Sequence, residues 1–307
     1  MKSIVIIFPY FGKLPAQYKM WRESALLNPS VDFLFFTDAE VQPAPNIIVN
    51  RMSFGEFRRV VQRAFDFPIV LDRPYKLCEY KPAYGYILQD YIKGYDFWGF
   101  GDLDLVYGDL RTFITDSVLR HKFVLGWGHL SLFMNDTATN TYFMERVEGF
   151  QYYRDAFQTP AITFFDEYGH RGCSDKWKAC RPDDCWTETP FDNVSKPKQS
   201  FHFASLTRGW AQVLFEHKES RLYMLRFSNG KIERRESLYA HFQHRPFMKD
   251  AVTDYRHFLV TPTSVVDFPL RHTSLWLRFH CRKRPLETLY FQWKDRILWK
   301  LHLSRFK

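Results

Sequence analysis

Two aspartates directly follow an aromatic segment, Phe97–Gly101. Asp102 and Asp104 come immediately after it and are separated by one residue. An apolar run of this kind predicts a buried strand, and ligands of open α/β sheets bind at the carboxyl ends of strands. Alternate residues of extended chain point to the same side, so both carboxylates could bind one hard cation. The spacing therefore predicts a divalent metal site, with a solvated turn as the plainer alternative.

Strands and helices alternate before these aspartates. β-Branched and apolar runs predict the strands, while a capping box at Ser53–Glu56 and a proline at position 82 predict helix starts. The predicted elements are strands over 3–8, 31–36, 47–49 and 97–101 and helices over 15–27, 54–65 and 82–91. This β-α-β-α-β order predicts an α/β fold with a mainly parallel sheet and helices on both faces.

The alternation loosens beyond Asp109. A turn signal at Ser228-Asn229-Gly230 predicts a hairpin. The elements predicted here are a helix over 110–119, strands over 123–126, 130–134, 221–227 and 231–234, and a loop-like segment over 170–200.

The net charge of +9 is concentrated at the C-terminus. Residues 271–307 carry ten Lys and Arg against two Asp and Glu, whereas residues 1–270 are nearly neutral. One apolar helical stripe is predicted in this tail, formed by Leu286, Tyr290, Trp293, Ile297 and Leu301. We therefore expect a main domain over 1–270 and a basic, aromatic helical tail over 271–307. The tail either packs on the protein or a second subunit, or contacts anionic headgroups at a membrane surface.

Composition excludes several classes of protein. A nearly neutral main domain does not favour nucleic-acid binding, which needs a basic face. The five cysteines are an odd number without CxxC spacing, which favours ordinary thiols over disulfides or zinc. No apolar run reaches the length of a spanning helix, and the apolar run over 4–8 is too short for a signal peptide. A cytoplasmic protein is expected.

Several segments together resemble a family of GT-A-like nucleotide-sugar glycosyltransferases that build bacterial capsule or O-antigen polysaccharides, a family formerly of unknown function. The segments occur in order through residues 1–250, and the tail is not covered. They are Pro9–Gly12, Phe35–Asp38, Pro74–Gly85, Phe97–Leu110, Gly128–Leu130, Phe165–Glu167 and His241–Arg245. The resemblance implies a GT-A (Rossmann-like) fold.

The resemblance also implies a metal centre. Asp104 would bind Mn²⁺ or Mg²⁺, and Asp102 would contact the metal or the donor ribose. A late histidine, His241 or His244, would be the third ligand, and imidazole suits Mn²⁺ better than Mg²⁺. Arg245 would bind a phosphate. The plainer alternative is that both histidines are ordinary residues on a polar strand face.

Further positions would bind the nucleotide-sugar donor. They are Tyr10 or Phe11 for the base, Thr37 and Asp38 for the uracil or ribose, and Lys76 and Lys81 for the phosphates. The alternatives are turn residues at the first four positions and surface lysines at the last two.

Catalysis needs a carboxylate that deprotonates the acceptor hydroxyl if the configuration inverts. Asp166 and Glu167 are the candidates, and a helix-capping pair is the alternative. Trp127 and His129 would bind the acceptor. Whether the reaction inverts or retains the anomeric configuration is left open.

The expected function is transfer of a hexose, galactose or galactofuranose, from a UDP-sugar to a hydroxyl of a surface polysaccharide. The acceptor is expected to be lipid-linked, which would place the protein at the inner face of the plasma membrane. Two alternatives remain open. One is a catalytically inactive binding or scaffold protein of a polysaccharide assembly complex, and the other is a metal-dependent phosphohydrolase.

Overall fold

A computed structural model describes residues 1–195, 203–209, 211–243, 245 and 249–268, with 277, 290, 293, 294, 296 and 297. These residues form two compact units. The first comprises Met1–Leu14, Asn28–Asp102 and Phe113–Glu188, and the second comprises Pro15–Leu27, Leu103–Thr112 and Thr189–Lys307. The predicted division at residue 270 stays a prediction, because most of the tail lies outside the described residues.

The secondary structure mixes short strands and helices. The strands are β1 (Ile4–Pro9), β2 (Val31–Thr37), β3 (Ile47–Arg51), β4 (Phe97–Gly101), β5 (Leu105–Tyr107), β6 (Phe123–Trp127), β7 (Leu130–Met134), β8 (Cys185–Trp186), β9 (Asp192–Asn193), β10 (Ala204–Ser205), β11 (Ala211–Gln212), β12 (Leu214–Lys218), β13 (Arg221–Ser228), β14 (Lys231–Ser237), β15 (Tyr239–His241), β16 (Lys249–Ala251), β17 (His257–Val260) and β18 (Ser264–Asp267). The α-helices are α1 (Tyr18–Leu26), α2 (Phe54–Arg63), α3 (Tyr84–Ile87), α4 (Leu110–Phe113), α5 (Thr137–Thr141), α6 (Tyr153–Gln158) and α7 (Cys173–Cys180). The 3₁₀ segments are Pro74–Ala83, Val118–Arg120, Tyr142–Met144 and Pro182–Asp184.

The first unit contains a seven-stranded sheet with the order β3-β2-β1-β4-β7-β6-β8. Strands β1 to β4 are mutually parallel, and β7 runs antiparallel to both β4 and β6. The predicted mainly parallel α/β sheet is confirmed. Because β1, β2 and β4 are parallel, their carboxyl ends at Pro9, Thr37 and Gly101 lie at one edge, where α/β proteins bind ligands.

Local sequence signals set the ends of several elements as predicted. The capping box holds the start of α2, since the Ser53 amide donates to Glu56 at 2.7 Å and the Glu56 amide donates to the Ser53 hydroxyl at 3.3 Å. The predicted strand Phe97–Gly101 is β4. Asn229 and Gly230 adopt positive φ values of 50° and 76° and form the predicted hairpin turn between β13 and β14.

The second unit contains a six-stranded sheet of order β14-β13-β12-β17-β18-β16 and a three-stranded sheet of order β5-β15-β9. Helix α1 is tied to β5, because the Tyr107 amide donates to the Ser24 hydroxyl at 3.1 Å and the Trp21 indole donates to the Tyr107 hydroxyl at 3.3 Å. These contacts fix β5, which begins one residue after Asp104.

Three predicted elements differ from the structure. The helix predicted over 82–91 is replaced by the 3₁₀ segment Pro74–Ala83 and the short helix α3. The helix predicted over 110–119 stops at Phe113, because the Thr115 hydroxyl accepts from the Val118 amide and competes with helical bonding. The segment over 170–200 includes α7, which tertiary burial of Trp177 stabilises.

Among the described residues, no helix combines the length and apolarity needed to cross a bilayer. Of the predicted apolar stripe in the tail, Tyr290, Trp293 and Ile297 are described, and all three are exposed. Leu286 and Leu301 lie outside the described residues.

Candidate active site

Strand pairing in the second unit brings Asp104 next to His241. Strand β15 runs antiparallel to β5 with His241 opposite Leu105, and the Phe242 amide donates to the Asp104 carbonyl at 3.0 Å. The His241 Nε2 atom lies 3.4 Å from the Asp104 Oδ1 atom. Two residues 137 positions apart in sequence therefore face each other because of one strand pair.

Hydrogen bonds fix the orientation of the His241 ring. Its Nδ1 atom lies 3.1 Å from the Asn193 Oδ1 atom, which also accepts from Gln243 Nε2 at 2.6 Å. Since that amide oxygen only accepts, the network assigns a proton to Nδ1, and Nε2 is the ring atom that faces Asp104. Orientation of a histidine through its second nitrogen is typical of metal ligands.

Asp102 is the third residue of a donor set, by which we mean three side chains that can each donate one ligand atom to a metal ion. Only Leu103 separates it from Asp104, so chain connectivity keeps the two carboxylates close. Asp102, Asp104 and His241 each offer one ligand atom, and these atoms lie within 4.8 Å of one another. Two carboxylates and an imidazole fit a divalent ion such as Mn²⁺. The backbone differs from the extended one predicted, because β4 ends at Gly101 and residues 103 and 104 form a turn.

Lys81 connects acidic groups in the first unit. Its ammonium donates to Asp102 Oδ1 at 2.8 Å and to the Gly128 carbonyl at 2.7 Å, and it lies 3.4 Å from Asp166 Oδ2. The two carboxylates raise the pKa of Lys81 well above its usual range, against the opposing effect of burial. This lysine therefore stays charged and holds Asp102 and Asp166 near each other.

The two predicted catalytic carboxylates occupy different environments. Asp166 is 2% exposed, and burial raises its pKa to about 8, although Lys81 opposes the shift. Glu167 is half-buried, and its carboxylate packs against the backbone of Gly128. A Cβ atom at position 128 would lie 2.6 Å from the Glu167 carboxyl carbon, so only glycine leaves room for this arrangement.

Aromatic rings lie near Gly128, whose backbone contacts the Glu167 carboxylate. Trp127 stacks on His129 with centroids 5.8 Å apart, and the Tyr168 ring lies 5.3 Å from Trp127. The ammonium of Lys178 lies 3.8 Å above the Tyr168 ring, and burial lowers its pKa to about 8. The structure thus brings Trp127 and His129 together on either side of Gly128, but His129 is only 5% exposed and does not offer the accessible ring that its predicted acceptor role needs.

Asp38 and Tyr10, which were predicted to bind the nucleotide-sugar donor, lie at the carboxyl ends of β2 and β1 in the first unit. Asp38 is exposed, and its Oδ1 accepts from the Gly12 amide at 2.7 Å. Tyr10 is half-buried, and its hydroxyl donates to the Lys13 carbonyl at 2.8 Å. Both side chains can be reached from solvent at this edge.

Four residues predicted for donor binding are engaged elsewhere. Phe11 is buried against Phe54 and Phe57, and Thr37 is fully buried. The buried ammonium of Lys76 donates to the backbone carbonyls of Ala156 and Ala161. Arg245 is buried as well, with its guanidinium donating to the carbonyls of Ser195 and Pro262. These four side chains do not offer the accessible groups that their predicted roles need, because burial and internal hydrogen bonds occupy them.

His244 lies outside the described residues. Three residues of the site escaped the sequence prediction, namely Glu79, Tyr168 and Asn193. Asn193 follows no recognisable motif, and Tyr168 is adjacent to the predicted Glu167. Glu79 was visible inside the Pro74–Gly85 segment, but its loop partners lie more than 80 residues away.

Comparison with known proteins gives one family. The sequence profile described as "Family of unknown function (DUF6625)" matches residues 6–269. Comparison with curated proteins gives no match. Because the profile covers most of the sequence, the chain belongs to the DUF6625 family. The matched residues include Asp102, Asp104 and His241, and also Lys81 and Asp166.

Proposed function

We propose that the protein is a metal-dependent glycosyltransferase of GT-A type that transfers a hexose from a UDP-sugar to a hydroxyl of a surface polysaccharide. The observation that carries the proposal is the donor set of Asp102, Asp104 and His241, which begins directly after the parallel strand β4. The resemblance of the ordered segments to such enzymes supports the choice of reaction.

The proposed roles follow from the chemistry of the side chains. Asp102, Asp104 and His241 would hold a Mn²⁺ or Mg²⁺ ion. A divalent ion supplies charge neutralisation for a diphosphate leaving group. Asp38 is the exposed carboxylate at the edge of β1 and β2 and can accept hydrogen bonds from the nucleoside. Tyr10, at the same edge, offers a ring face to the base.

Glu167 is the better candidate for the general base of the two neighbouring carboxylates. It is half-buried near Trp127, which is also half-buried and offers an aromatic face to an acceptor sugar, whereas His129 is buried. Asp166 is nearly inaccessible and is paired with Lys81. We therefore assign the transfer of the acceptor proton to Glu167 and give Asp166 a role in holding Lys81.

Release of UDP tests this function. The purified protein is incubated with Mn²⁺ and UDP-galactose, UDP-glucose or UDP-galactofuranose, and UDP is quantified with and without a glycan acceptor. We expect UDP to be released from one of these donors. The substitution Asp104→Asn should abolish this release. Asp109→Asn is the matched control, because Asp109 caps α4 through the amides of Arg111 and Thr112, and asparagine also serves as a cap.

The result also separates the alternatives. Binding of Mn²⁺ and UDP without any turnover would favour the inactive scaffold. Release of sugar phosphate in place of UDP would favour the phosphohydrolase. If the protein neither binds nor turns over any of the donors, the proposal is contradicted.

We further propose that the tail contacts an anionic membrane surface. Tyr290, Trp293 and Ile297 are helical, lie three and four residues apart, and are exposed, with Trp293 exposed by 66%. Arg296 is also helical and exposed, and it supplies a cation. An exposed aromatic face together with cations is typical of helices that lie in the headgroup region.

Sedimentation with lipid vesicles tests this contact. We expect the protein to sediment with vesicles that contain phosphatidylglycerol and to stay in solution with pure phosphatidylcholine. Substituting Trp293 and Ile297 with Ala should release it, while Tyr91→Ala, which removes another exposed aromatic ring, should not. Equal sedimentation of all three proteins would contradict the membrane contact.

A further inference from the structure

An unusually long 3₁₀ segment, Pro74–Ala83, precedes helix α3. Runs of this helix beyond three or four residues are uncommon, because the hydrogen-bond geometry is poor. Three charged residues of the segment, Lys76, Glu79 and Lys81, are largely buried and bind groups distant in sequence. The segment therefore acts as an anchor, and we call it the anchor segment.

The Glu79 carboxylate is fully buried and accepts four hydrogen bonds from one loop. The donors are the Thr163 amide at 2.7 Å, the Thr163 hydroxyl at 2.5 Å, the Phe164 amide at 2.9 Å and the Phe165 amide at 3.3 Å. Three consecutive backbone amides thus converge on one side chain. Hydrogen bonds to an ionised acceptor are roughly twice as strong as neutral ones.

The loop that Glu79 holds has a strained backbone. Phe164 adopts a φ of 61°, which is unfavourable for a residue with a Cβ atom, although its side chain is 43% exposed and stacks on His170 with ring centroids 4.6 Å apart. The Glu167 amide donates to the Phe164 carbonyl at 3.1 Å, which carries the conformation forward to the two carboxylates.

The other charged residues of the anchor segment hold the same stretch of chain. Lys76 donates to the carbonyls of Ala156 and Ala161, upstream of the loop, and Lys81 pairs with Asp166 directly after it. Three side chains of one short segment therefore hold residues 156–166.

We infer that Glu79 is a positioning residue, which holds the backbone of residues 163–165 and thereby sets the place of Glu167. The inference rests on the proposed function only in assigning Glu167 as the general base. Its structural part, the retention of the loop by one buried carboxylate, stands independently.

The substitution Glu79→Gln tests the inference. Glutamine keeps one acceptor oxygen, but its NH₂ group cannot accept from the Phe165 amide. Hydrogen exchange of the amides of residues 163–165 is measured by mass spectrometry, together with kcat and KM for the UDP-sugar. We expect exchange at these amides to accelerate about tenfold and kcat to fall about tenfold, with KM unchanged.

Glu216→Gln provides the matched control. Glu216 is another buried carboxylate, bound to His257 at 2.9 Å and to Arg234 at 2.7 Å in the second unit. This control should leave exchange at 163–165 and kcat unchanged. Thr163→Val, which removes one of the four hydrogen bonds and keeps the backbone donors, should give an intermediate effect.

The outcomes distinguish this inference from the proposed function. Unchanged exchange at 163–165 in Glu79→Gln would overturn the inference even if the enzyme is active. Accelerated exchange in a protein without transferase activity would support the retention of the loop and contradict the proposed function. An equal loss of kcat in Glu79→Gln and Glu216→Gln would overturn the positioning role.

Discussion

Replacement of Lys81 by Met tests the charge arrangement around the site. Methionine has nearly the volume of lysine and can keep the contact of the side chain with the Phe100 ring, which lies 5.4 Å from the ammonium. It removes the ammonium that donates hydrogen bonds to Asp102 and the Gly128 carbonyl and lies beside Asp166. The substitution therefore deletes charge while changing packing little.

The three partners of Lys81 contribute unequally to the expected loss of stability. Asp102 is 34% exposed and can be rehydrated, whereas Asp166 is 2% exposed and would lose its cation in the interior. Removing one partner of a buried ion pair costs about 3–5 kcal/mol. Because the pKa of Asp166 lies at about 8, the acid is already largely protonated at pH 7, so the loss of about 3 kcal/mol is expected above pH 8, where Asp166 ionises in the wild type.

The sign of the pH dependence follows from the raised pKa of Asp166. The folded protein holds this proton up to about pH 8, whereas the unfolded chain releases it near pH 4, so ionisation of Asp166 lowers stability as pH rises through this window. Loss of Lys81 raises the folded pKa further. The Lys81→Met protein should therefore continue to lose stability above pH 8, where the stability of the wild type stops falling.

A double-mutant cycle supplies the assay. Urea unfolding of wild type, Lys81→Met, Asp166→Asn and the double variant is followed at pH 6 and pH 9.5. At pH 9.5 we expect Asp166→Asn to restore about 2 kcal/mol in the Lys81→Met background and to remove its extra pH dependence. Additive effects, or a Lys81→Met protein as stable as the wild type at pH 9.5, would refute the reasoning.

Three further predictions concern single side chains. Gly128→Ala should displace the Glu167 carboxylate, which lies 2.6 Å from the position of the new Cβ, and should lower kcat about 10- to 100-fold while the melting temperature changes little. Asn193→Ala should lower Mn²⁺ affinity about 10- to 100-fold in calorimetry, because His241 loses the partner that orients its ring. Burial lowers the pKa of His217 to about 4, so the unfolded chain binds the extra proton and the free energy of unfolding should fall by up to about 3 kcal/mol between pH 6.5 and 4. His217→Phe should flatten this part of the unfolding profile, and an unchanged slope would contradict the assignment.

Features encoded locally were predictable from the sequence. The strand Phe97–Gly101, the capping box of α2 and the hairpin turn at Asn229-Gly230 each depend on neighbours within a few residues. The position of Asp102 at the carboxyl end of β4 follows in turn from the strand prediction. The local pattern of hydrophobicity and turn residues was sufficient for these elements.

Features that depend on distant contacts were not predictable. Lys76 was expected either to bind a phosphate near the start of a helix or to be an ordinary surface lysine, yet its partners are buried carbonyls 80 and 85 residues away. Arg245 is buried for the same reason, through carbonyls at positions 195 and 262. The loop partners of Glu79 are likewise 84 to 86 residues away, so the sequence of the anchor segment does not reveal them.

The central claim is that Asp104 and His241 bind a divalent ion. Electron paramagnetic resonance of Mn²⁺ measures this most directly, because the signal of the free hydrated ion diminishes as the ion binds. The wild type and Asp109→Asn should bind one Mn²⁺ per chain, and Asp104→Asn and His241→Gln should each weaken binding at least about tenfold. Equal binding by the wild type and Asp104→Asn, or no binding by the wild type, would contradict the claim.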